Sequence, residues 1–379
     1  MTNYNAELQE RLQLFCADHI DPHAQQWERD QVQPVETLRE AAKWGLLGLQ
    51  APRSLGGLEL DFVEKLQVLE QLSGSCMAFA FSMVNSHNVA LRLLEAGAPR
   101  HREELVPQLL SGALFGGTAL SEPGAGSDFA GIATTAKRCD GGWLLNGTKG
   151  WITNTTIGSL FVVYAQTDAS AGWRGIASFL VDARHSGFQR GDSYDLLGGH
   201  AIGTGEFSLK DFFVAQEDVL EQPGAAFKVA MAGVNGARAY VAAMVCGMLQ
   251  SSLDQAVSYG LTRHSFGQPL LDHQGLRWQL VDVAADLEAL RALTERAGGL
   301  IRDGRDAVLA AAVAKKMAGE YGVKNITACM QAMGASGLRR EHALGRHLHC
   351  AKIAAYTDGS TEMMNERIGA YLRQRANAL

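Results

Sequence analysis

No two cysteines in this chain are spaced as a pair. Cys16, Cys76, Cys139, Cys246, Cys329 and Cys350 include no Cys-x-x-Cys and no histidine spacing of a metal site, so no metal is expected. They read as small buried hydrophobes of a reducing compartment. Basic charge is not in excess either: 34 Lys and Arg against 40 Asp and Glu give a net charge of -6 and a pI near 6.0. That balance speaks against nucleic acid or an anionic membrane surface as the main partner. A charge interrupts every apolar run of about eighteen residues, and no basic segment followed by an apolar one opens the chain. Neither a membrane span nor a secretory leader is therefore expected, and the expected location is cytoplasmic.

What is present is an ordinary globular composition, 47% apolar and 20% charged over 379 residues, long enough for more than one domain and a sizeable core. Leu8, Leu12 and Phe15 recur at helical spacing, Pro22 interrupts, and Leu38 to Leu47 forms a second amphipathic stretch ended by Gly45 and Gly48. Helical patterns continue over Asp61 to Leu72 and Asn88 to Ala96. The small, apolar run Gly74 to Val84 separates them and is too weakly polar for a surface loop. Near Leu114 the period changes. Thr134 to Arg138 and Trp143 to Asn146 flank Asp140-Gly141-Gly142, a hairpin signal, and Leu160 to Gln166, Ile176 to Asp182 and Phe207 to Val214 are β-branched or aromatic runs. From Ala225 the chain is helical again, with Leu276, Leu280, Val283, Leu287 and Leu290 forming an apolar seam. The expected fold is α+β: an N-terminal α-helical domain over 1–113, a middle antiparallel β domain over 114–223, and a C-terminal four-helix bundle over 224–379.

The stretch with most chemistry is Leu120-Ser121-Glu122-Pro123-Gly124-Ala125-Gly126-Ser127-Asp128. Its proline and glycines forbid a regular element and let backbone N–H groups approach a ligand, as anion-binding nests require. Trp151-Ile152-Thr153-Asn154 follows, offering an indole face beside a hydroxyl to a planar, polar-edged ligand. Farther on, Arg238 lies among Ala, Val, Met and Gly, where an uncompensated guanidinium is costly and needs an acceptor.

The pairing of these two segments resembles the flavin-binding signature of the acyl-CoA dehydrogenase family, and the resemblance extends over nearly the whole chain. It implies FAD as cofactor, with Leu120 and Ser121 at the pyrimidine edge of the isoalloxazine, and Gly126 in the same turn. Ser127 would meet the pyrophosphate or the substrate, and Trp151 and Thr153 would border the ring near N5. Arg263-His264-Ser265-Phe266-Gly267 and His273-Gln274 are similar to the family segment that reaches a neighbouring subunit's FAD. Gln331-Ala332-Met333-Gly334-Ala335-Ser336-Gly337 resembles the second half of that shared site. By the same resemblance Arg263, Ser265, Phe266, Gln274, Gln331, Gly334 and Ala335 hold cofactor, and the protein is a homo-oligomer, a tetramer built through its C-terminal bundle.

Tyr356-Thr357-Asp358-Gly359-Ser360-Thr361-Glu362 resembles the family's catalytic loop, with Asp358 where the family has glutamate. The implied reaction removes an α-proton from an acyl thioester while hydride leaves the β-carbon for flavin N5. Asp358 would be the base, its backbone N–H would polarise the thioester oxygen, and Ser360 and Glu362 would lie on the cofactor face. Asn235, Arg238 and Gly359, with Ser127, would touch substrate. Aspartate withdraws the carboxylate by about 1 Å, a displacement that can cost about 100-fold, so either the pocket brings the α-carbon closer or the base lies elsewhere. The other position the family uses for a base is Ala237 here. The family commonly has Arg at His200 and Ser at Ile202, which leaves acyl-CoA and acyl-carrier-protein thioesters both open as substrates. An electron-transfer flavoprotein is the implied electron acceptor. Two other functions stay open: a nitroalkane-type flavin oxidase, and a non-catalytic flavin- or acyl-binding scaffold.

Overall fold

Three apolar side chains at i, i+4 and i+7 are enough to seat the first helix: α1 (Ala6–Phe15) buries Leu8, Leu12 and Phe15. The computed structural model describes residues 6–376. After α2 (Ala24–Arg29), α3 (Val35–Lys43) buries Leu38 and Ala41 and gives way to Gly45, at φ +79°. Helix α4 (Phe62–Ala96) starts on a capping box: the Asp61 carboxylate accepts from the Glu64 N–H at 2.8 Å, and the Glu64 carboxylate accepts from the Asp61 N–H at 2.7 Å. The run Gly74 to Val84 is no connection; it is the buried middle of this one helix, broken only at Cys76 (φ -157°, ψ 103°). Short helix α5 (Val106–Leu110) completes the region.

Eight strands make one sheet: β1 (Gly116–Ala119), β2 (Thr135–Cys139), β3 (Gly142–Ile152), β4 (Leu160–Gln166), β5 (Ile176–Asp182), β6 (Phe188–Ser193), β7 (Gly205–Ala215) and β8 (Val219–Glu221), in the order β6-β7-β3-β2-β4-β5-β8 with β1 on β4. The Asp140-Gly141 turn, with Gly141 at φ +76°, closes the β2–β3 hairpin. Most pairs are antiparallel, but β1 runs parallel to β4 from Gly116 opposite Leu160, and β2 meets β4 in parallel, so the sheet is mixed. Every residue of β4 is buried, as its apolar run from Leu160 to Ala165 requires of a strand covered on both faces.

Helix α6 (Ala226–Thr262) leads into a small hairpin, β9 (His264–Ser265) and β10 (Gln268–Pro269), then α7 (Gln274–Arg302), α8 (Val308–Ala332), α9 (Leu344–Tyr356) and α10 (Thr361–Ala376). By length and composition α6 could cross a membrane, yet 61% of its most apolar window is buried against the rest of the chain. In α7 the seam Leu280, Val283, Leu287 and Leu290 faces inward. Charges outside that seam bridge between helices: Arg291 pairs with Glu70 of α4 at 2.7 Å, and Asp286 with Lys324 of α8 at 2.8 Å. Helices α4 and α6 touch at two glycines; a Cβ on Gly247 would stand 1.9 Å from the Glu70 carbonyl oxygen and 3.0 Å from Gly74 N.

One side chain joins the helical and sheet parts. Asn154, fully buried at φ +63°, donates its amide to the carbonyls of Ser82 in α4 (3.0 Å) and Gly116 in β1 (2.7 Å), while its oxygen accepts from Gln33 Nε2 (2.6 Å) and Ser82 Oγ (2.7 Å). Asparagine tolerates the left-handed region better than other residues with a Cβ. Asn154→Ala strands these partners and should cost about 3–5 kcal/mol, read as a lowered urea midpoint. A loss below about 1 kcal/mol would show that water replaces the amide.

Candidate active site

Gly124 and Gly126 are exposed, and a Cβ built on either meets nothing within 4 Å. The chain's own packing does not demand glycine there, which fits a surface that a ligand approaches at backbone distance. The turn is fixed from below. Lys149 Nζ, fully buried on β3, donates to Glu122 Oε1 at 2.8 Å and to the Leu120 carbonyl at 3.2 Å. Glu122 also accepts from the backbone N–H groups of Ala133 (2.7 Å) and Thr134 (3.0 Å). Burial raises the Glu122 carboxyl, but Lys149, Thr134 and Ala133 together hold it below its usual range. Burial pushes the Lys149 ammonium down to about 8, with Glu122 opposing.

This ion pair places two segments thirty residues apart beside each other. The Gly150 N–H donates to the Ser121 carbonyl at 3.1 Å, and the next residue, Trp151, is 60% exposed at φ +62° with its indole 4.6 Å from the Tyr194 ring. Leu120 and Ser121 are half-buried, Gly126 and Ser127 exposed, and Thr153 buried. An open aromatic face and a glycine-lined turn with its hydroxyls thus belong to two segments joined by the Gly150–Ser121 bond, and these residues fit a planar ligand with an anionic tail.

The second cluster lies where α6, α8 and the turn after α9 meet. Asp358 is half-buried at φ +56°, and Gly359 follows at φ +105°. Arg238 finds its acceptors here: Nε donates to the Asp358 carbonyl at 3.0 Å and Nη1 to Asn235 Oδ1 at 2.9 Å. Lys315, fully buried, donates to the carbonyls of Gly359 (3.2 Å) and Ala355 (3.4 Å). Both cations therefore grip the backbone of the turn. The carboxylate is left alone: Asp358 Oδ2 is covered and has no hydrogen-bond partner. Burial pushes its pKa up to about 6 against the pull of Lys315 and Arg238. Burial likewise pushes Lys315 down to about 8, while Asp358 pulls it back. Ser360 opens α10, its Oγ accepting from the Met363 N–H at 3.4 Å, and Glu362 is exposed in the first turn.

Arg263, Ser265, Phe266 and Gln274 lie on or beside the hairpin at the far end of α6, roughly 37 Å from Arg238 along the helix at 1.5 Å per residue. Phe266 is 95% exposed at φ +51°. Gln331, Gly334 and Ala335 are exposed, and a bond of 2.9 Å between the Ser336 and Tyr259 hydroxyls ties their turn to the same end of α6. Sequence reasoning missed Lys315, Lys149 and Glu122. The available signal was a lysine on the apolar face of an alanine-rich helix and one in a buried strand.

Because Asp358 is raised above its unfolded value, the folded state holds the proton more tightly between pH about 4 and 6. Stability therefore falls as pH rises through that window, and ionised Asp358 costs on the order of 1–3 kcal/mol at neutral pH. Asp358→Asn should raise the melting temperature at pH 7.5 and change it little at pH 4.5; an equal shift at both would remove the carboxylate charge as the cause.

Three comparisons bear on the identity of this arrangement. The sequence patterns that define the acyl-CoA dehydrogenase N-terminal, middle and C-terminal domains match residues 2–113, 117–212 and 224–372. The mitochondrial short-chain specific acyl-CoA dehydrogenase of Rattus norvegicus is 32% identical over 371 residues, 97% of this chain and 90% of that protein. Butyryl-CoA dehydrogenase from Megasphaera elsdenii superimposes with a TM-score of 0.92 at 28% identity, covering 97% of this chain and 98% of that one. PigA, solved with FAD and proline, gives 0.93 at 25% identity over 99% of each chain. Domain for domain, the chain belongs to the acyl-CoA dehydrogenase family.

Proposed function

We propose that this protein is an FAD-dependent dehydrogenase that introduces an α,β double bond into an acyl thioester, with Asp358 as the base. The carrying observation is the state of that side chain: a covered, unpartnered carboxylate oxygen with a pKa near 6 on a turn that two buried cations hold in place. Such a group is ionised at pH 7 and still basic enough to take a proton. Its freedom from hydrogen bonds leaves the lone pairs for the substrate. The backbone N–H of Asp358 would stabilise negative charge on the thioester oxygen as the α-proton leaves. Asn235 and Arg238 would orient the substrate beside the turn, and Gly359 would let it approach.

The open glycine turn, the exposed Trp151 and the buried Thr153 would supply the ring and phosphate contacts of FAD, and the similarity to PigA with FAD supports that cofactor. Bound FAD supplies the acceptor for the β-hydrogen and its electron pair. Arg263, Ser265, Phe266 and Gln274 lie at the end of α6 away from Arg238, and Gln331, Gly334 and Ala335 join them there through the Ser336–Tyr259 bond; they would hold a neighbour's FAD in a homotetramer. The electrons would pass on to a protein such as an electron-transfer flavoprotein. His200, in contact with Glu28 at 3.3 Å, and buried Ile202 offer few polar contacts to a CoA moiety, so a carrier-protein thioester belongs in the same substrate class.

Asp358→Asn should slow anaerobic flavin reduction by the best thioester by at least about 10²-fold, a usual general-base contribution, with binding largely kept. In the parent the single-turnover rate should climb with pH through about 6, because only the ionised carboxylate accepts a proton. A variant that reduces flavin at the parent rate would end the base assignment, and rapid re-oxidation by dioxygen would place the enzyme among the oxidases. Arg263→Ala should weaken FAD retention and oligomerisation together, since a ligand that spans an interface stabilises the assembly; a fully flavinylated monomer in sedimentation would exclude the shared site.

A further inference from the structure

Among the described residues three lysines are nearly or wholly buried: Lys149, Lys315 and Lys65, the last 3% exposed. The first has a carboxylate and the second two carbonyls, of Ala355 at the end of α9 and Gly359 in the turn after it. Lys65, in the first turns of α4, has neither. Its ammonium donates once, to Asn88 Oδ1 at 3.0 Å, and otherwise stands 5.6 Å from the centroid of Phe62 and 5.5 Å from that of Tyr240. Among the described residues no carboxylate lies within ion-pair distance of it. Burial pushes its pKa down to about 7, with distant Glu95 opposing. The surroundings are polar and equally incomplete. Asn88 spends its amide on the Tyr240 hydroxyl at a long 3.4 Å. His87 is fully buried, and its Nε2 has no partner. Burial and the Lys65 charge hold it well below the usual histidine pKa, so it is neutral at pH 7.

This cluster adjoins the site already described. Tyr240 is two residues beyond Arg238 on α6, and burial followed by the Asp358 charge drives its hydroxyl pKa well above normal. The Phe62 ring lies 3.5 Å from where a Cβ on Gly236 would stand, between Asn235 and Arg238. Phe81 packs 6.4 Å from Tyr240. Apolar rings thus border a cation with unused hydrogens, on the α4–α6 side of the base. A buried charge without its counterion is among the costliest features a fold can keep, and an anion arriving at the end of a hydrocarbon chain would complete it.

We propose that Lys65, with Asn88 and Tyr240, is a specificity subsite that receives the terminal carboxylate of a short acyl chain, so that the preferred substrates are monothioesters of dicarboxylic acids. This rests on the thioester reading above. The ammonium and the Asn88 amide would hold the carboxylate, while Phe62, Phe81 and Tyr240 would line the methylenes leading to it. A methyl terminus leaves the ammonium unpaired and gains only apolar contact.

The test uses the FAD-loaded oligomer and acyl-CoA esters of matched length, four to six carbons, ending in methyl, hydroxyl or carboxylate. Visible difference titration reads binding, and anaerobic flavin reduction reads turnover. The carboxylate-ended ester should bind at least about 30-fold more tightly than its methyl counterpart, the fold-change of a completed buried charge pair. Lys65→Met keeps the stem, removes an unpaired buried charge and is expected to fold; it should erase or invert that preference while leaving the methyl-ended ester as good or better. Asn88→Leu should lower the preference in part. Equal affinity for all three termini in the parent, or a preference that survives Lys65→Met, overturns the subsite. If no ester reduces the flavin the dehydrogenase reading falls separately, and the binding titration still decides the Lys65 assignment.

Discussion

The amide of Asn154 carries the junction on which the arrangement of this protein depends. Helix α4, strand β1 and the loop holding Ile202 each send a backbone group to residue 154: its side chain donates to Ser82 and Gly116, and its N–H to the Ile202 carbonyl at 3.1 Å. A buried amide shared among several partners does more than sum their bonds, because its loss leaves the Gln33 amide and the Ser82 hydroxyl to be satisfied in a buried place. It also fixes the strand end that carries Trp151 and Thr153, so the aromatic face is referenced to helix α4.

The buried cations divide their labour in a way that explains the free carboxylate. Had Arg238 or Lys315 paired with the Asp358 carboxylate directly, its pKa would sit low and its lone pairs would be committed. Both instead hold main-chain oxygens, lowering the energy of a left-handed turn that aspartate does not favour. Their charges act on the carboxylate only through space, enough to restrain its pKa without neutralising its basicity. Lys149 follows the opposite rule. It pairs with Glu122 in full, and Glu122 in turn holds the Ala133 and Thr134 N–H groups.

Periodic features were legible in the sequence. The α7 seam, the β4 and β5 boundaries and the Asp-Gly turn depend on local pattern, and the structure keeps them at those residues. The order helices, sheet, helices also stands. The continuity of α4 was not legible, because the break at Cys76 sits beside the close crossing with Gly247, a residue far away in sequence. Lys65, Lys149 and Lys315 were equally hidden: a lysine reads as a solvated charge until the element that covers it is known. For the site, the glycine turn and the Asp358 loop stood out through resemblance to a family pattern; the unpaired oxygen at Asp358 emerges only from three-dimensional neighbours.

The glycine contact between α4 and α6 has a mechanical consequence. Gly247 lies seven residues, about 10 Å of helix, beyond Tyr240, and the two helices touch there with no side chain between them. A methyl group at Gly247 would act as a wedge: the helices must part where they now meet, and Phe62 and Phe81 on α4 would move relative to Tyr240 on α6. On the reading proposed above, the bore open to an acyl chain would be set by a position outside its walls, and selection for a new substrate could act on a residue with no chemistry of its own.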